Sequence, residues 1–485
     1  MGIELSAIGG SKGKMAKNQK NSAWSGKFTR KTTNPKNIKT IRFLTPVVNS
    51  SSVEHLGKRP IETFSKNLPE TISYNLPKER VWDYEGSFME AMRNILVLGQ
   101  CFGLMPVINI TSKIPGELRF SWLSLRTLYS LVCLLGTGIY TGLTICHSLS
   151  SKIEFVRVVP IIFYSSNLFI IYAFIGLAQN WPSLMETWKN AEMIHPIYQT
   201  AKEKRFLKRK ICTVTSVLLI LSLIEHVLSL GTMLHFAHVC PDKENQSPLE
   251  ALFKQEFTQM FAYTHYSLEK GILGQILNSI NTFVWSFMDC FVIIVSIGLS
   301  TGFKNVNKDL IAVKGKVVSE EFWQKQRSAY RRMCDLCDSV DSHISRITLV
   351  SFSNNLFFIC VQLLNSLNKK DSFIHTFYFW FSLLFLIART LAVSLYAATI
   401  NEESKEPIHV FRVVPRESWC LEVKRFYEEV TNDTVALSGM KFFYLTRRLV
   451  LSVAGTIVTY ELVLLQFHQD EELEKDDPCK PLAIA

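Results

Sequence analysis

Several signatures that mark enzymes and soluble domains are missing from this 485-residue sequence. It has no glycine-rich phosphate loop of the P-loop form and no metal-spaced histidine pair, so neither nucleotide chemistry nor a histidine-held metal is indicated. Its eleven cysteines are scattered, and Cys334-x2-Cys337 is a single CxxC with no second pair, which argues against zinc or redox chemistry. Cys133, Cys146, Cys212, Cys290 and Cys360 lie in apolar runs, where cysteine acts as a small buried hydrophobe. The N-terminal region lacks the apolar core and small-residue cleavage site of a signal peptide. Internal repeats are absent, and apart from Pro160 the apolar runs contain no proline. Acidic residues are plentiful only in loops, and nothing points to an enzyme or a cofactor.

What the chain does have is apolar length. Hydrophobic residues make up 48% of it, with 33 phenylalanines, and they are gathered into long runs. Runs of about 20 residues match the hydrocarbon core of a bilayer, so the sequence reads as an all-α membrane protein. Seven candidate spans cover about Ser121–His147, Phe155–Gln179, Ile211–His238, Gly271–Phe303, Ile347–Leu367, Phe373–Thr399 and Leu449–Phe467. A further stretch, Phe88–Ile110, is interrupted by Arg93, Asn94, Gln100 and Pro106, and is expected to lie as an amphipathic helix on the inner membrane surface.

Lysine and arginine set the orientation. The first 60 residues carry a net +10, which fits a disordered arm beside anionic lipid better than a nucleic-acid-binding tail. Met185–Lys210 holds five Lys and two Arg against three Glu, Lys304–Arg346 holds nine basic residues, and Arg447-Arg448 precede the last span. Val239–Gly271, with three Lys against five acids, falls on the opposite side, as does the acidic tail. The N-terminus is therefore expected inside and the C-terminus outside. Cys240 and Cys479 fall outside the cell in this scheme, as does the sequon Asn245-Gln246-Ser247, which Pro248 weakens.

In the last span Ser452, Thr456, Thr459, Val463 and Gln466 recur at helical spacing, a polar stripe that must face other helices or water. The span ends in Thr459-Tyr460, five further residues, then Gln466-Phe467. This TY-x5-QF string resembles the signature of insect gustatory receptors. With the interior Glu461-Leu462-Val463-Leu464-Leu465 and the upstream run Gly99 to Pro106, it is most similar to the sugar-receptor branch.

The resemblance implies a ligand-gated, non-selective cation channel in the plasma membrane of taste neurons. Four copies, identical or of related receptors, would line a central pore with the seventh helix and pass Na+, K+ and Ca2+. It places the gate at Gln466 and Phe467, with Thr456, Thr459 and Tyr460 along the same helix. The chain then divides into a basic cytoplasmic tail (1–87), a pre-span helix and linker (88–120), a six-helix ligand-binding part (121–400), a cytoplasmic anchor (401–448), the pore helix (449–467) and an acidic outer tail (468–485). In solution that tail would gather cations at the pore mouth.

A sugar needs aromatic faces for its C–H side and amides or carboxylates for its hydroxyls. The outer halves of the spans offer Tyr164, Asn167, His235, Asn278, Asn281, Trp285, Gln362, His375, Tyr378 and Trp380. Asn278, Asn281 and Trp285 share a face. Each aromatic could instead be an interfacial belt residue, and each amide an interhelical hydrogen bond. Among charges inside spans, Asp289 and Arg389 fall at similar depth and are expected to pair as a structural element. Receptors of the same family tuned to fructose or bitter compounds would share the pore and differ only in the pocket. A metabotropic seven-span receptor would need the opposite topology, and a secondary transporter would need Gly- or Pro-broken spans.

Overall fold

Apolar runs of this length have one outcome in hydrocarbon, because only a helix satisfies its backbone hydrogen bonds from within a single segment. The computed structural model describes residues 82, 84–150, 155–194, 201–239, 247–366 and 373–468. The basic tail, Cys240, Asn245 of the sequon, Cys479 and the acidic tail lie outside the described residues.

In chain order the helices are α1 (Phe88–Cys101), α2 (Leu125–Leu149), α3 (Phe155–Ile194), α4 (Ala201–Val239), α5 (Pro248–Glu256), α6 (Thr258–Phe261), α7 (Leu268–Ala312), α8 (Glu320–Ser366), α9 (Phe373–Lys405), α10 (Pro407–Phe411), α11 (Leu421–Asn432) and α12 (Arg447–His468). Among the described residues there is no strand, only the isolated bridges Ile108 to Arg119 and Ser438 to Tyr444. Six helices are long and apolar enough to cross a membrane: α2, α3, α4, α7, α8 and α9. With 22 residues, α12 is the seventh apolar helix, and its length of about 33 Å matches a core of about 30 Å.

α7 is the axis of the bundle, with α1, α2, α3, α4, α8 and α9 packed around it. From Val284 to Ser300 every residue is buried, which is why this stretch is apolar on all sides rather than on one stripe. Several helices run well past the spans read from hydropathy. α8 begins at Glu320, not near Ile347, because its inner half is amphipathic: Phe322, Gln326, Ala329, Met333, Val340 and Ile344 are buried at helical spacing while charged residues fill the other face. Likewise α3 continues through Pro182 to Ile194. Hydropathy reports where hydrocarbon ends, not where a helix ends.

α1 departs from expectation in its placement. It does not lie on the inner surface; it runs antiparallel along α7. Phe88 at its start sits against Gly298, where an added Cβ would come within 2.6 Å of the ring. Phe102 just beyond its end stacks on Phe283 at 3.7 Å. Of the polar residues that suggested a surface helix, Gln100 is absorbed locally, its Nε2 donating to the carbonyls of Met105 and Val107 at 2.9 and 2.8 Å, while Asn94 stays exposed. The start of α1 is pinned by Glu192 of α3, which accepts from the Phe88 backbone N–H at 3.0 Å and from Trp82 Nε1 at 3.3 Å. A small cavity of about 10 Å³ beside Glu192, Trp188 and Met333 has room for roughly one water.

On the cytoplasmic side α11 packs against the inner half of α8. Arg327 is held between Glu422 and Glu429, at 2.8 Å from each. The turn that leads into α12 is fixed by buried Asp341 of α8, and Arg447 at the start of α12 pairs with Glu402 of α9. Residues 401–448 are thus built onto the Glu320-proximal half of α8 and the Lys405 end of α9.

Candidate ligand site and pore helix

The residues expected in a sugar pocket separate into three groups. The deepest belongs to a buried polar network. Arg389 Nε lies 3.0 Å from Asp289 Oδ2, with side-chain exposures of 3% and 0%. The approach is an ionic contact rather than an aligned hydrogen bond, since the Nε–H finds no acceptor along its own direction. Asp289 also accepts from Ser351 Oγ and from Asn355 Nδ2 at 3.1 Å. Arg389 Nη1 reaches Ser286 Oγ at 3.4 Å, and Ser286 shares a 2.6 Å hydrogen bond with Ser222. The pair therefore ties α7 to α4, α8 and α9. Its guanidinium lies 4.6 Å from the Trp285 ring, a cation–π contact that fixes the indole.

Around Trp285 is an aromatic box. Phe163 of α3 and Phe358 of α8 meet its ring at 5.7 and 4.7 Å, and they lie 6.4 Å from each other. Asn167 is one turn from Phe163, and Asn355 and Gln362 are one turn either side of Phe358. Four buried polar atoms of this set make no hydrogen bond: Trp285 Nε1, Asn167 Nδ2, Asn355 Oδ1 and Gln362 Oε1. Two are donors and two are acceptors. Unsatisfied buried polar atoms are costly, about 1–3 kcal/mol each, so four close to one aromatic box single it out as a candidate site for a polar ligand. The other end of the Gln362 amide donates to Ser382 Oγ at 3.0 Å, and Ser382 in turn donates to Glu225.

The outer group is occupied by the protein itself. Tyr164 OH donates to Asn278 Oδ1 at 3.2 Å, and Asn278 Nδ2 donates to Glu256 at 3.1 Å. Gln275, with its amide turned to match its neighbours, donates to the same carboxylate at 3.0 Å. Asn281 is fully buried and spends its amide on Thr137 of α2 and on the Leu277 carbonyl, an interhelical tie rather than a pocket wall. The rings of His235 and His375 face each other at 6.3 Å. Trp380, two residues and so about 200° around α9 from Tyr378, is 50% exposed on the outside of the bundle. Glu256, Phe163, Phe358 and Ser382 escaped the sequence reading, because a loop glutamate and three residues in apolar runs carry no pattern of their own.

Burial pushes the Glu256 carboxyl up to about 7, with the Asn278 hydrogen bond pulling the other way. The groups that face it, Asn278, Gln275, Tyr140 and Tyr164, bring no positive charge. A carboxyl whose pKa is higher when docked holds its proton better docked than free. Docking of α5 is therefore strongest below the free carboxyl's value and weakens as pH rises toward about 7. Hydrogen exchange across residues 248–261, corrected for intrinsic rate, is expected to be slower at about pH 5 than at about pH 8. Equal corrected protection would show that Glu256 does not titrate with docking.

α12 touches the rest of the chain along one side only. Leu449 and Ile457 pack toward the core, against α8 and α9, whereas Ser452, Thr456, Thr459 and Val463 are exposed. Thr456 and Thr459 turn their hydroxyls back onto the Ser452 and Gly455 carbonyls at 3.0 and 2.9 Å, so within the subunit they tie no helices together. Tyr460 is 36% exposed. Gln466 and Phe467 complete the last turn of the helix; their side chains, and that of Glu461, lie outside the described residues.

The same arrangement of helices occurs in solved insect receptors. The olfactory receptor OR5 from Machilis hrabei in complex with eugenol superposes with a TM-score of 0.55 at 13% identity, over 78% of this chain and 98% of that one. The structure described simply as that receptor gives 0.54. In sequence the chain is 46% identical to the gustatory receptor for sugar taste 64f of Drosophila melanogaster, over 80% of this chain and 82% of that protein. It is 39% identical to the gustatory receptor 5a for trehalose of the same fly, over 83% and 89%. Residues 50–479 match the trehalose receptor family model. This multi-pass membrane protein therefore belongs to the trehalose receptor family, among the sugar-taste gustatory receptors of insects.

Proposed function

We propose that the chain is a sugar receptor that acts as a ligand-gated, non-selective cation channel, with the aromatic box as its saccharide site. The observation that carries this reading is the set of four unpartnered polar atoms on Trp285, Asn167, Asn355 and Gln362 beside the edge-to-face and tilted rings of Phe163, Trp285 and Phe358. Hydroxyls both donate and accept, so one saccharide can satisfy donors and acceptors together while its C–H face covers an aromatic ring. The relatives' names, which refer to sugar taste and trehalose, agree with that ligand class. Sugar must bind the open state more tightly than the closed one, because equal affinity shifts no equilibrium.

The pore reading rests on α12. Its polar stripe is exposed on the single chain, and four copies about an axis would turn that stripe to water and bring Gln466 and Phe467 to the narrowest point. Hydrated Na+, K+ and Ca2+ could then pass with weak selectivity past an amide ring, and an apolar ring could close the path by dewetting. Taste-neuron membranes are the proposed location.

Whole-cell current from cells expressing the chain, perfused with trehalose, sucrose, maltose, glucose and fructose, tests both parts. Asn167→Leu supplies the discriminating variant. It removes an unsatisfied donor, so thermal stability should hold or rise by about 1 kcal/mol, while sugar sensitivity should fall at least about tenfold. A response unchanged in Asn167→Leu would place the site elsewhere. A response that disappears on blocking G proteins would end the channel reading.

A further inference from the structure

If the aromatic box is the saccharide site, a ligand arriving from outside must pass the segment between α4 and α7. We propose that residues 248–261 form a lid over the box and that Glu256 is the latch that holds the lid shut. This inference rests on the sugar-site reading above for its ligand, but not for its structural test.

The lid is a small second core, distinct from that of the bundle. Phe253 and Phe257 of the lid pack with Tyr140 of α2 and Tyr164 of α3, and Met260, Phe261 and Tyr266 close around them. Phe163 packs against both this cluster and the main core, so the lid's apolar floor is also the roof of the box. The lid bridges α4, α2 and α7.

One face of α7 receives it. Gly271 and Gly274 leave grooves for the two lid phenylalanines: a Cβ on Gly271 would meet the Phe253 ring at 2.4 Å, and one on Gly274 would meet Phe257 at 3.0 Å. Gln275 and Asn278 continue that face and both donate to Glu256. On the far side Gln259 of α6 donates to Tyr140 OH.

Among the described residues, the buried side-chain polar atoms that α2, α3 and α7 present to the lid are thereby satisfied, whereas four in the box below are not. Groups left open mark the place for a ligand; groups already closed mark the cover. The lid's other carboxylate, Glu250, is spent on Lys254 of the same helix, so Glu256 is the one that reaches α7, and both of its amide partners would be released together when it lifts. It is a positioning residue for access, not a sugar contact.

The test uses the full-length receptor on intact cells and a thiol placed in the box by Asn167→Cys. A membrane-impermeant methanethiosulfonate reagent is added outside, and labelling of that cysteine is followed by mass spectrometry, with a second cysteine, Thr264→Cys, on the exposed loop before α7 as the internal reference. Labelling at Asn167→Cys should be slower than at Thr264→Cys. It should accelerate about tenfold in Glu256→Ala, the loss expected when two hydrogen bonds are released together. Gly271→Ala, which unseats Phe253 from the other side of the same interface, should accelerate it as well.

Equal rates in all three receptors would overturn the lid, and so would an Asn167→Cys rate, with the latch intact, that matches Thr264→Cys. Sugar currents recorded on receptors that keep Asn167, with and without Glu256→Ala, keep the two readings apart. A lid that gates both entry and exit speeds onset and washout by the same factor and leaves their ratio unchanged. A shift in apparent affinity alone would make Glu256 a ligand contact and overturn the latch. Absent sugar currents with latch-dependent labelling would instead sink the sugar site and leave the lid standing.

Discussion

Arg389→Ala is expected to strip most of the folded receptor from the cell surface. The substitution leaves Asp289, 0% exposed, facing an apolar space with its counter-ion gone. Breaking a buried pair from one side costs about 3–5 kcal/mol, a large share of the roughly 5–15 kcal/mol that typically separates folded from unfolded protein. The damage is not confined to the pair. The same guanidinium lies over the Trp285 and Phe385 rings, so alanine also removes the support of the box wall. Surface biotinylation and thermal unfolding of the detergent-extracted receptor give the readout. Because replacing both partners with apolar residues of similar volume is often neutral, Asp289→Leu with Arg389→Met should recover surface expression. Should Arg389→Ala reach the surface at wild-type level and melt at the wild-type temperature, the pair is not what joins α7 to α9.

The second large effect is expected at Asp341, in the cytoplasmic half of α8. Its carboxylate is fully buried and accepts three hydrogen bonds, from the Ser438 backbone N–H at 2.6 Å, from Ser438 Oγ at 2.8 Å and from Lys441 Nζ at 2.7 Å. These hold a turn in which Met440 and Lys441 adopt φ of 50° and 64°, left-handed values that non-glycine residues take only when their surroundings impose them. That turn feeds directly into α12.

Asp341→Ala leaves the three donors without their acceptor and releases the strain. Local protection across residues 437–447 should fall by about a hundredfold in hydrogen exchange, while α7 remains protected. Because α12 makes few other contacts with the subunit, evoked current should drop with surface expression intact. Unchanged exchange in this segment would show that the turn is set by its own sequence and that Asp341 merely fills space.

Both predictions rest on polar residues whose partners lie far away in the chain, and that is where the sequence was least legible. Asp289 and Arg389 could be matched because a charge inside a span demands an account and their depths could be counted along each helix. Asp341 offered no such hint: it sits in an apparently soluble loop with many charges, and only the fold reveals that the loop is the inner half of α8. The stripe Ser452, Thr456, Thr459 was legible because helical periodicity is local. Asn281 and Trp380 could not be sorted from true pocket residues, since an interhelical amide, a belt tryptophan and a ligand contact share one sequence signature.

The sequence by itself determined the helical membrane architecture, the number of apolar helices and the family resemblance carried by the last span. Each of these follows from local quantities: run length against bilayer thickness and spacing at 3.6 residues. The tertiary structure alone decided that α1 lies along α7, that the outer amides are spent on Glu256, and that four polar atoms around Trp285 stay open. Those outcomes depend on which side chains meet across helices distant in the chain. Hydrogen-bond satisfaction is a property of such pairs, and no single stretch of sequence encodes it.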